Sequence, residues 1–398
     1  MKSCTDSRFE IGLHGQRLYA IMDFRMPACA AFCNIPASIG ESFMQTEKQR
    51  KLYLDFLRVL AAFLVLYNHT AGFHFFLDHK TASKVIMCTI LASSFTRINV
   101  LLFFMISGAL LLGKDYSYND LLGRRIPRFA AVLFIASMLL YTAERFDDFD
   151  LLNAIATSVT CNVTGVYWFL FTYIGFLLIL PFLRMIAERI TWREVLLLVI
   201  CRTVFTSIPT VLDHVSYLQG WYHAALPGYF SIPFAEVNFI FFPLIGYWLD
   251  RNLSGKTIQK WLPLLLIFIL GDLMISGGIS YRWYTWDMAS QTYLGIFSPL
   301  TAISVFLIAK YVFELLQPKI QGRLPEKVLI CISSLTLGIY LIDPFLKDHV
   351  HLFDKMEAWF GGVIHVLPLS VLYCIVSMAI GGTITWILKK LPAVEKFL

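Results

Sequence analysis

Charged residues are scarce in this chain of 398 residues. Lys, Arg, Asp and Glu together make up 15% of the sequence, while apolar residues make up 58% and the mean hydropathy is +0.67. These values lie outside the range of soluble globular domains. The chain also lacks an internal repeat and any polar stretch, after residue 43, that is long enough for a separate soluble domain. The composition therefore predicts an integral membrane protein with many spans.

Paired cysteines and metal-ligand clusters are absent as well. The 8 cysteines are scattered without a CxxC pair, and several lie in apolar segments, which argues against a disulfide framework. His349 and His351 have no further ligand cluster beside them, so we expect no metal ion. Residues 1–43 lack the pattern of a signal peptide and are expected to be poorly ordered or not translated. Residues 44–398 are predicted to form one transmembrane domain.

Long apolar segments are what the chain does contain. About ten of them approach the ~20 residues that a helix needs to cross the hydrocarbon. Lipid cannot hydrogen-bond an open backbone, so we expect an all-α polytopic bundle. The predicted spans are 53–75, 88–112, 126–143, 165–184, 194–210, 230–249, 261–280, 293–316, 328–346 and 363–388.

Lys and Arg are distributed unevenly between alternate loops. With the N-terminus inside, the inner loops from Met44 onward carry 20 of these residues and the outer loops carry 6. The positive-inside rule then places both termini in the cytoplasm. The net charge of +6 mostly reflects this topology, and we expect no nucleic-acid partner.

The first span carries ionisable groups in an otherwise apolar segment, YLDFLRVLAAFLVLYNHTAGFHFF. Arg58 and His69 lie within ~20° of the same helix face and ~16 Å apart along the axis. Arg at a helix centre costs ~2.5–3.5 kcal/mol on insertion scales, and such residues are usually functional. One alternative stays open, in which Arg58 snorkels to the inner headgroups, Asp55 pairs with it and His69 sits at the outer interface.

Further segments follow this Arg-x10-His pattern in order. TRINVLLFFMISGALLLG has an Arg before an FF-x-x-SG signature, LLGRRIPRF has two arginines three apart, and VYWFLFTYIGFLLILPFL and SSLTLGIYLIDPFL complete the series. From about Leu54 to the last span, the chain resembles the acyltransferase-3 family of multispanning O-acyltransferases. The residues that match the family motifs are Arg58, His69, Arg97, Val100, Phe103, Phe104, Ser107, Gly108, Arg125, Arg128, Trp168, Phe169, Pro181, Gly338, Ile339 and Tyr340.

Three positions depart from the family pattern. Leu101 stands where Pro is usual, Val166 where His is common and Asp343 where His is usual. The last two leave open an inactive relative that is retained for partner binding. Within the family, the chain most resembles the compact ten-span members of the enterobacterial common antigen O-acetyltransferase type.

The resemblance implies transfer of an acyl group from acyl-CoA, with acetyl-CoA the expected donor, in the bacterial plasma membrane. The expected acceptor is a hydroxyl of a cell-surface glycan, a lipid-linked saccharide or a similar compound. The alternative is a multispanning transporter or exporter of an anionic or lipid-linked metabolite, since ten spans and buried charges fit it too. The missing two-fold repeat argues against that alternative.

The residue types suggest roles in such a reaction. His69 is the predicted general base, because a buried neutral imidazole can take a proton without leaving a permanent charge in lipid. The family resemblance implies that Arg58 is needed, and its contact is left open among a thioester oxygen, a CoA phosphate and Asp55. Ser107 is expected to serve helix packing instead of acting as a nucleophile.

Arginines on the predicted cytoplasmic side complete the site. Arg124, Arg125 and Arg128 are predicted to bind the phosphates of acyl-CoA, and inner-leaflet phospholipid is an equal alternative for Arg124. The predicted polar core also contains Asp55, Arg97, Ser107 and Trp168.

Overall fold

The protein is an all-α polytopic membrane protein. The computed structural model describes residues 50–78, 84–160, 163–219, 238–286, 293–361 and 363–391, and no strand occurs among them. The segment 1–43, for which poor order or no translation is expected, lies outside the described residues. In chain order the helices are α1 (Leu52–Asn68), α2 (Ala71–Asp78), α3 (Lys84–Thr96), α4 (Asn99–Leu111), α5 (Tyr118–Glu144), α6 (Leu151–Thr160), α7 (Trp168–Ala187), α8 (Trp192–Arg202, continued through a π-helical turn into Ile208–Gln219), α9 (Asn238–Asn252), α10 (Gly255–Thr285), α11 (Ser298–Ile320), α12 (Leu324–Asp348), α13 (Leu352–Phe360) and α14 (Val366–Leu388).

Each predicted span corresponds to a helix. Among the described residues, 8 helical stretches are long and apolar enough to cross a membrane, and the bent pair α1–α2 brings the number to 9. The predicted sixth span, 230–249, is described only from residue 238 onward, as the 15-residue α9. The short helices α6 and α13 were not predicted, because they are too short for the span criterion.

The first span forms the centre of the bundle, where α1 packs against α4, α11, α12 and α14. No Gly or Pro interrupts its Leu- and Ala-rich run, and Leu52, Leu57 and Leu66 are fully buried. The helix ends at Asn68, where the backbone N–H of His69 donates to the carbonyl of Leu66 at 3.0 Å and α2 departs at 46°. The break places the imidazole of His69 on a turn inside the protein.

The predicted inner ends of several spans meet in the structure. Lys51 Nζ, just before α1, lies 2.7 Å from Asp250 Oδ2 near the end of α9. Lys310 Nζ on α11 donates to the backbone carbonyl of Asp250 at 2.6 Å. Arg184 near the end of α7 pairs with Asp115, which follows α4. Arg251 at the end of α9 donates to the carbonyl of Gly113 after α4 at 3.4 Å. The start of α1 therefore lies on the same side as the ends of α4, α7 and α9, as alternate threading requires. That this side is cytoplasmic stays a prediction.

Two glycines bring α4 and α9 into backbone contact. A Cβ on Gly108 of α4 would lie 1.9 Å from the carbonyl oxygen of Pro243, and one on Gly246 of α9 would lie 2.2 Å from the carbonyl oxygen of Met105. Real Cβ atoms do not approach backbone so closely, so only glycine fits at both positions. Small residues at such crossings are typical of membrane helices, which gain stability from close packing.

We expect Gly108→Ala to destabilise the protein. The added methyl group would have to push the α9 backbone away, and overpacking of this kind costs ~1–3 kcal/mol. Gly271→Ala on α10 is the matched control, because its Cβ would meet nothing within 4 Å and Ala is the better helix former. Thermal unfolding of both purified variants in one detergent measures the difference. Equal unfolding midpoints for the two variants would contradict the packing role.

Candidate functional site

A cavity of about 620 Å³ lies within the bundle. It is bounded mainly by residues of α1, α4, α7 and α12, with one residue contributed by each of α5, α8, α9 and α11. Its walls are mostly apolar with a few polar groups, which is the usual character of a small-molecule site. The polar residues that line it are Asn68, His69, Arg97, Asn99, Ser107, Tyr173, Arg202, Asn238, Ser298, Thr336 and Tyr340.

Arg58 lies inside the bundle, with 7% of its surface exposed. Its Nη1 donates to Ser333 Oγ of α12 at 3.0 Å and lies 3.5 Å from Asp55 Oδ1. Ser333 Oγ in turn donates to the same Asp55 oxygen at 2.7 Å. Arg50 forms two further bonds to the carboxylate of Asp55, at 2.8 and 2.9 Å. Arg58 is therefore held by its own helix and by α12, not by lipid headgroups as in the snorkelling alternative.

A crevice leads from Arg58 towards the cavity. Phe103, Ser107 and Tyr173 line both spaces, so the two are adjacent. Ser107 Oγ donates to the backbone carbonyl of Phe103 at 2.8 Å, which is the helix-packing geometry that the sequence predicted for it. The residues that line the crevice are Arg58, Phe103, Ile106, Ser107, Leu110, Leu111 and Tyr173.

His69 lines the cavity and contacts a buried carboxylate. Its Nδ1 is 2.6 Å from Oδ2 of Asp343 on α12, which has 0% exposure. The other oxygen, Oδ1, accepts hydrogen bonds from Tyr373 OH at 3.0 Å and from Ser377 Oγ at 2.8 Å. Asp343, which replaces the usual His of the family pattern, is thus the direct partner of His69. Nε2 is the ring nitrogen that this contact leaves for a ligand.

Two arginines line the cavity along with His69. Arg97 stacks over the ring of Phe73, with 5.0 Å between its guanidinium carbon and the ring centroid, and Arg202 ends the first part of α8. No Asp or Glu is present among the described residues that line the cavity. Trp168 also lines it, but this side chain stands at the start of α7 and the residue is 48% exposed. It therefore lies at the rim and not in the polar core where it was predicted.

A second buried carboxylate fixes the segment before α11. Asp272 of α10 accepts hydrogen bonds from Ser276 Oγ at 2.7 Å, from the backbone N–H of Phe297 at 2.9 Å and from Thr301 Oγ1 at 2.8 Å. The same segment contributes Leu294 to the cavity wall. Asp272 thus supports the wall from behind without lining the cavity.

The predicted phosphate-binding arginines stand at the start of α5 and differ in orientation. Arg125 packs over the ring of Tyr116, 4.1 Å from its guanidinium carbon to the centroid, and lies within electrostatic reach of Tyr173 in the cavity wall. Arg128 is half-buried. Arg124 has a side chain that is 70% exposed. Arg125 and Arg128 therefore approach the bundle, whereas Arg124 faces away from it.

Sequence reasoning missed part of this site. An ionisable residue inside an apolar span signals function, and that signal was present for Asp343. Its position was interpreted only as a departure from the family pattern. Ser333, Tyr373 and Ser377 gave no comparable signal, because hydroxyl side chains are common in membrane helices.

Comparison with known proteins agrees with the architecture. The acyltransferase-3 family model, described as an acyltransferase domain, matches residues 51–386, which include every described residue that lines the cavity. No curated protein and no solved structure matches the chain. The family match spans well over half of the chain, from before α1 into the last turn of α14. The chain therefore belongs to the acyltransferase-3 family and is a multi-pass membrane enzyme that transfers acyl groups other than aminoacyl groups.

Proposed function

We propose that the protein is an acyl-CoA-dependent O-acyltransferase that acetylates a hydroxyl of a cell-surface glycan, a lipid-linked saccharide or a similar acceptor in the bacterial plasma membrane. The observation that carries this proposal is the cavity at His69 with its adjoining crevice at Arg58. The crevice and the cavity together extend along α1. They begin near the side on which the start of α1 and the ends of α7 and α9 lie. A donor from that side and an acceptor near His69 could meet in the cavity. The set of spans fits the compact, enterobacterial common antigen type of family member.

His69 supplies the proton transfer that the reaction needs. The acceptor O–H bond breaks as its proton passes to Nε2 of His69, and the oxygen bonds to the thioester carbonyl carbon. The C–S bond then breaks, and the proton returns from His69 to the leaving thiolate, which gives an ester and free CoA thiol. General-base help of this kind contributes about 10²–10⁴-fold in rate. Arg97 and Asn68 line the cavity with His69 and are the candidate donors to the developing oxyanion.

Arg58 contacts a different part of the donor. It lies ~16 Å from His69 along the axis of α1, whereas a hydrogen bond spans only ~3 Å. A carbonyl carbon within reach of His69 is therefore beyond the reach of Arg58. Asp55 and Ser333 hold the guanidinium at the crevice. We assign Arg58 to orienting the part of acyl-CoA that lies between the thioester and the phosphates, from its position beside the cavity.

The phosphates of acyl-CoA then fall near the start of α5. Arg125 approaches the bundle next to Tyr116, and Arg128 is half-buried one turn further along. Guanidinium groups bind phosphate oxygens through paired, charge-assisted hydrogen bonds. Arg124 points away from this position and suits a phospholipid headgroup instead.

Two measurements test the function as a whole. Purified protein in lipid nanodiscs is given radiolabelled acetyl-CoA and envelope extract, and release of CoA thiol is followed together with labelled product. Mass spectrometry compares surface glycans and small hydroxylated metabolites from deletion and parent strains. We expect one acyl ester to be missing in the deletion strain. Movement of a metabolite across the bilayer without thiol release would favour the transporter alternative and contradict the proposal.

We expect His69→Gln to lower kcat by about 10²–10⁴-fold, because the general base is lost while the polar volume is kept. His365→Gln is the matched control, since His365 at the start of α14 packs against Phe75, with 5.6 Å between ring centroids, and does not line the cavity. Initial rates of ester formation at saturating acetyl-CoA measure the effect. A His69 variant that acylates as fast as the control would remove His69 from the mechanism.

We expect Arg125→Ala to raise the KM for acetyl-CoA by about tenfold or more, as loss of a charged hydrogen bond to phosphate costs ~1.5–3 kcal/mol. Arg124→Ala should change this KM little, because its side chain is exposed and pairs with Asp120, 3.4 Å from Nη1 to Oδ1. Steady-state kinetics with acetyl-CoA as the varied substrate separate the two. The same rise in both variants would place the phosphates elsewhere.

A further inference from the structure

Asp343 is a fully buried carboxylate whose two oxygens both have partners. It lies inside a span, has 0% exposure, and both of its oxygens are engaged by side chains of other helices. Oδ2 meets Nδ1 of His69 at 2.6 Å, and Oδ1 accepts from Tyr373 and Ser377, both on α14. A buried charge is tolerated only when it is hydrogen-bonded in this way. The three partners together hold the carboxylate in one orientation.

We propose that Asp343 is the positioning residue that fixes the tautomer of His69, so that Nδ1 carries the proton and Nε2 is free to act as the base. The inference rests on the proposed role of His69. An ionised carboxylate has no proton to donate, so Nδ1 donates to it. A neutral imidazole has one N–H, which leaves Nε2 as the acceptor. Tyr373 and Ser377 set the orientation of the carboxylate, and none of these three residues lines the cavity.

The hydroxyl groups of Tyr373 and Ser377 allow the tautomer of His69 to be tested by substitution. In an Asp343→Asn variant, Tyr373 and Ser377, which donate to Oδ1 in the wild type, favour the amide oxygen at that position. The amide NH₂ group then faces His69 and forces Nδ1 to accept, so that the proton moves to Nε2. His69 is present and packed as before, yet it holds the wrong tautomer for a base.

Removing the hydroxyls reverses this preference. With Tyr373→Phe and Ser377→Ala added to Asp343→Asn, nothing holds the amide oxygen away from His69. The amide can turn so that its oxygen accepts from Nδ1, and the active tautomer returns in part of the molecules. Lost packing alone gives no reason for the two added substitutions to restore activity. A triple variant that is more active than the single variant is therefore a signature of tautomer control.

The experiment compares the wild type, Asp343→Asn, the double variant Tyr373→Phe/Ser377→Ala and the triple variant, all in nanodiscs. We expect kcat to fall by about 10³–10⁴-fold in Asp343→Asn, as for a base held in the wrong tautomer, with an unchanged KM for acetyl-CoA. The double variant should lose activity as well, because Oδ1 of Asp343 loses both of its donors, and it measures the effect of removing the hydroxyls alone. The triple variant should exceed Asp343→Asn at least about tenfold in kcat. Thermal unfolding midpoints identify any variant that has lost its fold.

A chemical readout separates this proposal from the proposed function. Diethyl pyrocarbonate modifies a free imidazole nitrogen, and peptide mass spectrometry reports its rate at each histidine, with His365 as the internal reference. We expect His69 to react in the wild type, slowly in Asp343→Asn, and faster again in the triple variant. If this pattern holds but no variant transfers acyl groups, the tautomer assignment stands and the enzymatic function falls. Equal His69 reactivity in all variants, or a triple variant less active than Asp343→Asn, would overturn the assignment.

Discussion

Hydrocarbon solvates neither charges nor open backbone groups, and this constraint decides where the ionic groups of the bundle lie. Asp55, Arg58 and Asp343 are all buried, and each is paired by side chains that come from more than one helix. Removing one member of such a set leaves a stranded charge, which typically costs ~3–5 kcal/mol. The pairs therefore tie α1 to α12 at two levels, at Ser333 and at Asp343.

The two contacts between α1 and α12 also set the distance between Arg58 and His69. The same two helices carry the guanidinium at the crevice and the imidazole at the cavity, so their separation is fixed by one rigid helix pair. The contact of Gly108 with α9 adds a third helix, α4, whose Phe103 and Ser107 line both spaces. A site that extends along most of α1 needs walls whose spacing does not vary, and rigid helices provide them better than loops would.

The sequence allowed the membrane class, the spans and two inward-facing residues to be predicted, because these depend on local signals. Hydropathy reports the spans, and helical periodicity places Arg58 and His69 on one face. The partners of these residues depend on how α1 and α12 align, which no local signal reports, so Ser333 and the contact of Asp343 were missed. Trp168 was expected in the polar core because it belongs to a motif, yet it begins its helix and therefore lies at the rim.

The two departures that left open an inactive relative, Val166 and Asp343, are physically compatible with an active enzyme. At Val166 the backbone carbonyl accepts a hydrogen bond from Tyr340, and any residue type can supply that group. At Asp343 the change is chemical, since a second imidazole beside His69 would leave the choice of tautomer open. A carboxylate removes that choice because it can only accept. The substitution that first suggested an inactive relative therefore supplies a more definite partner for His69 than the usual residue would.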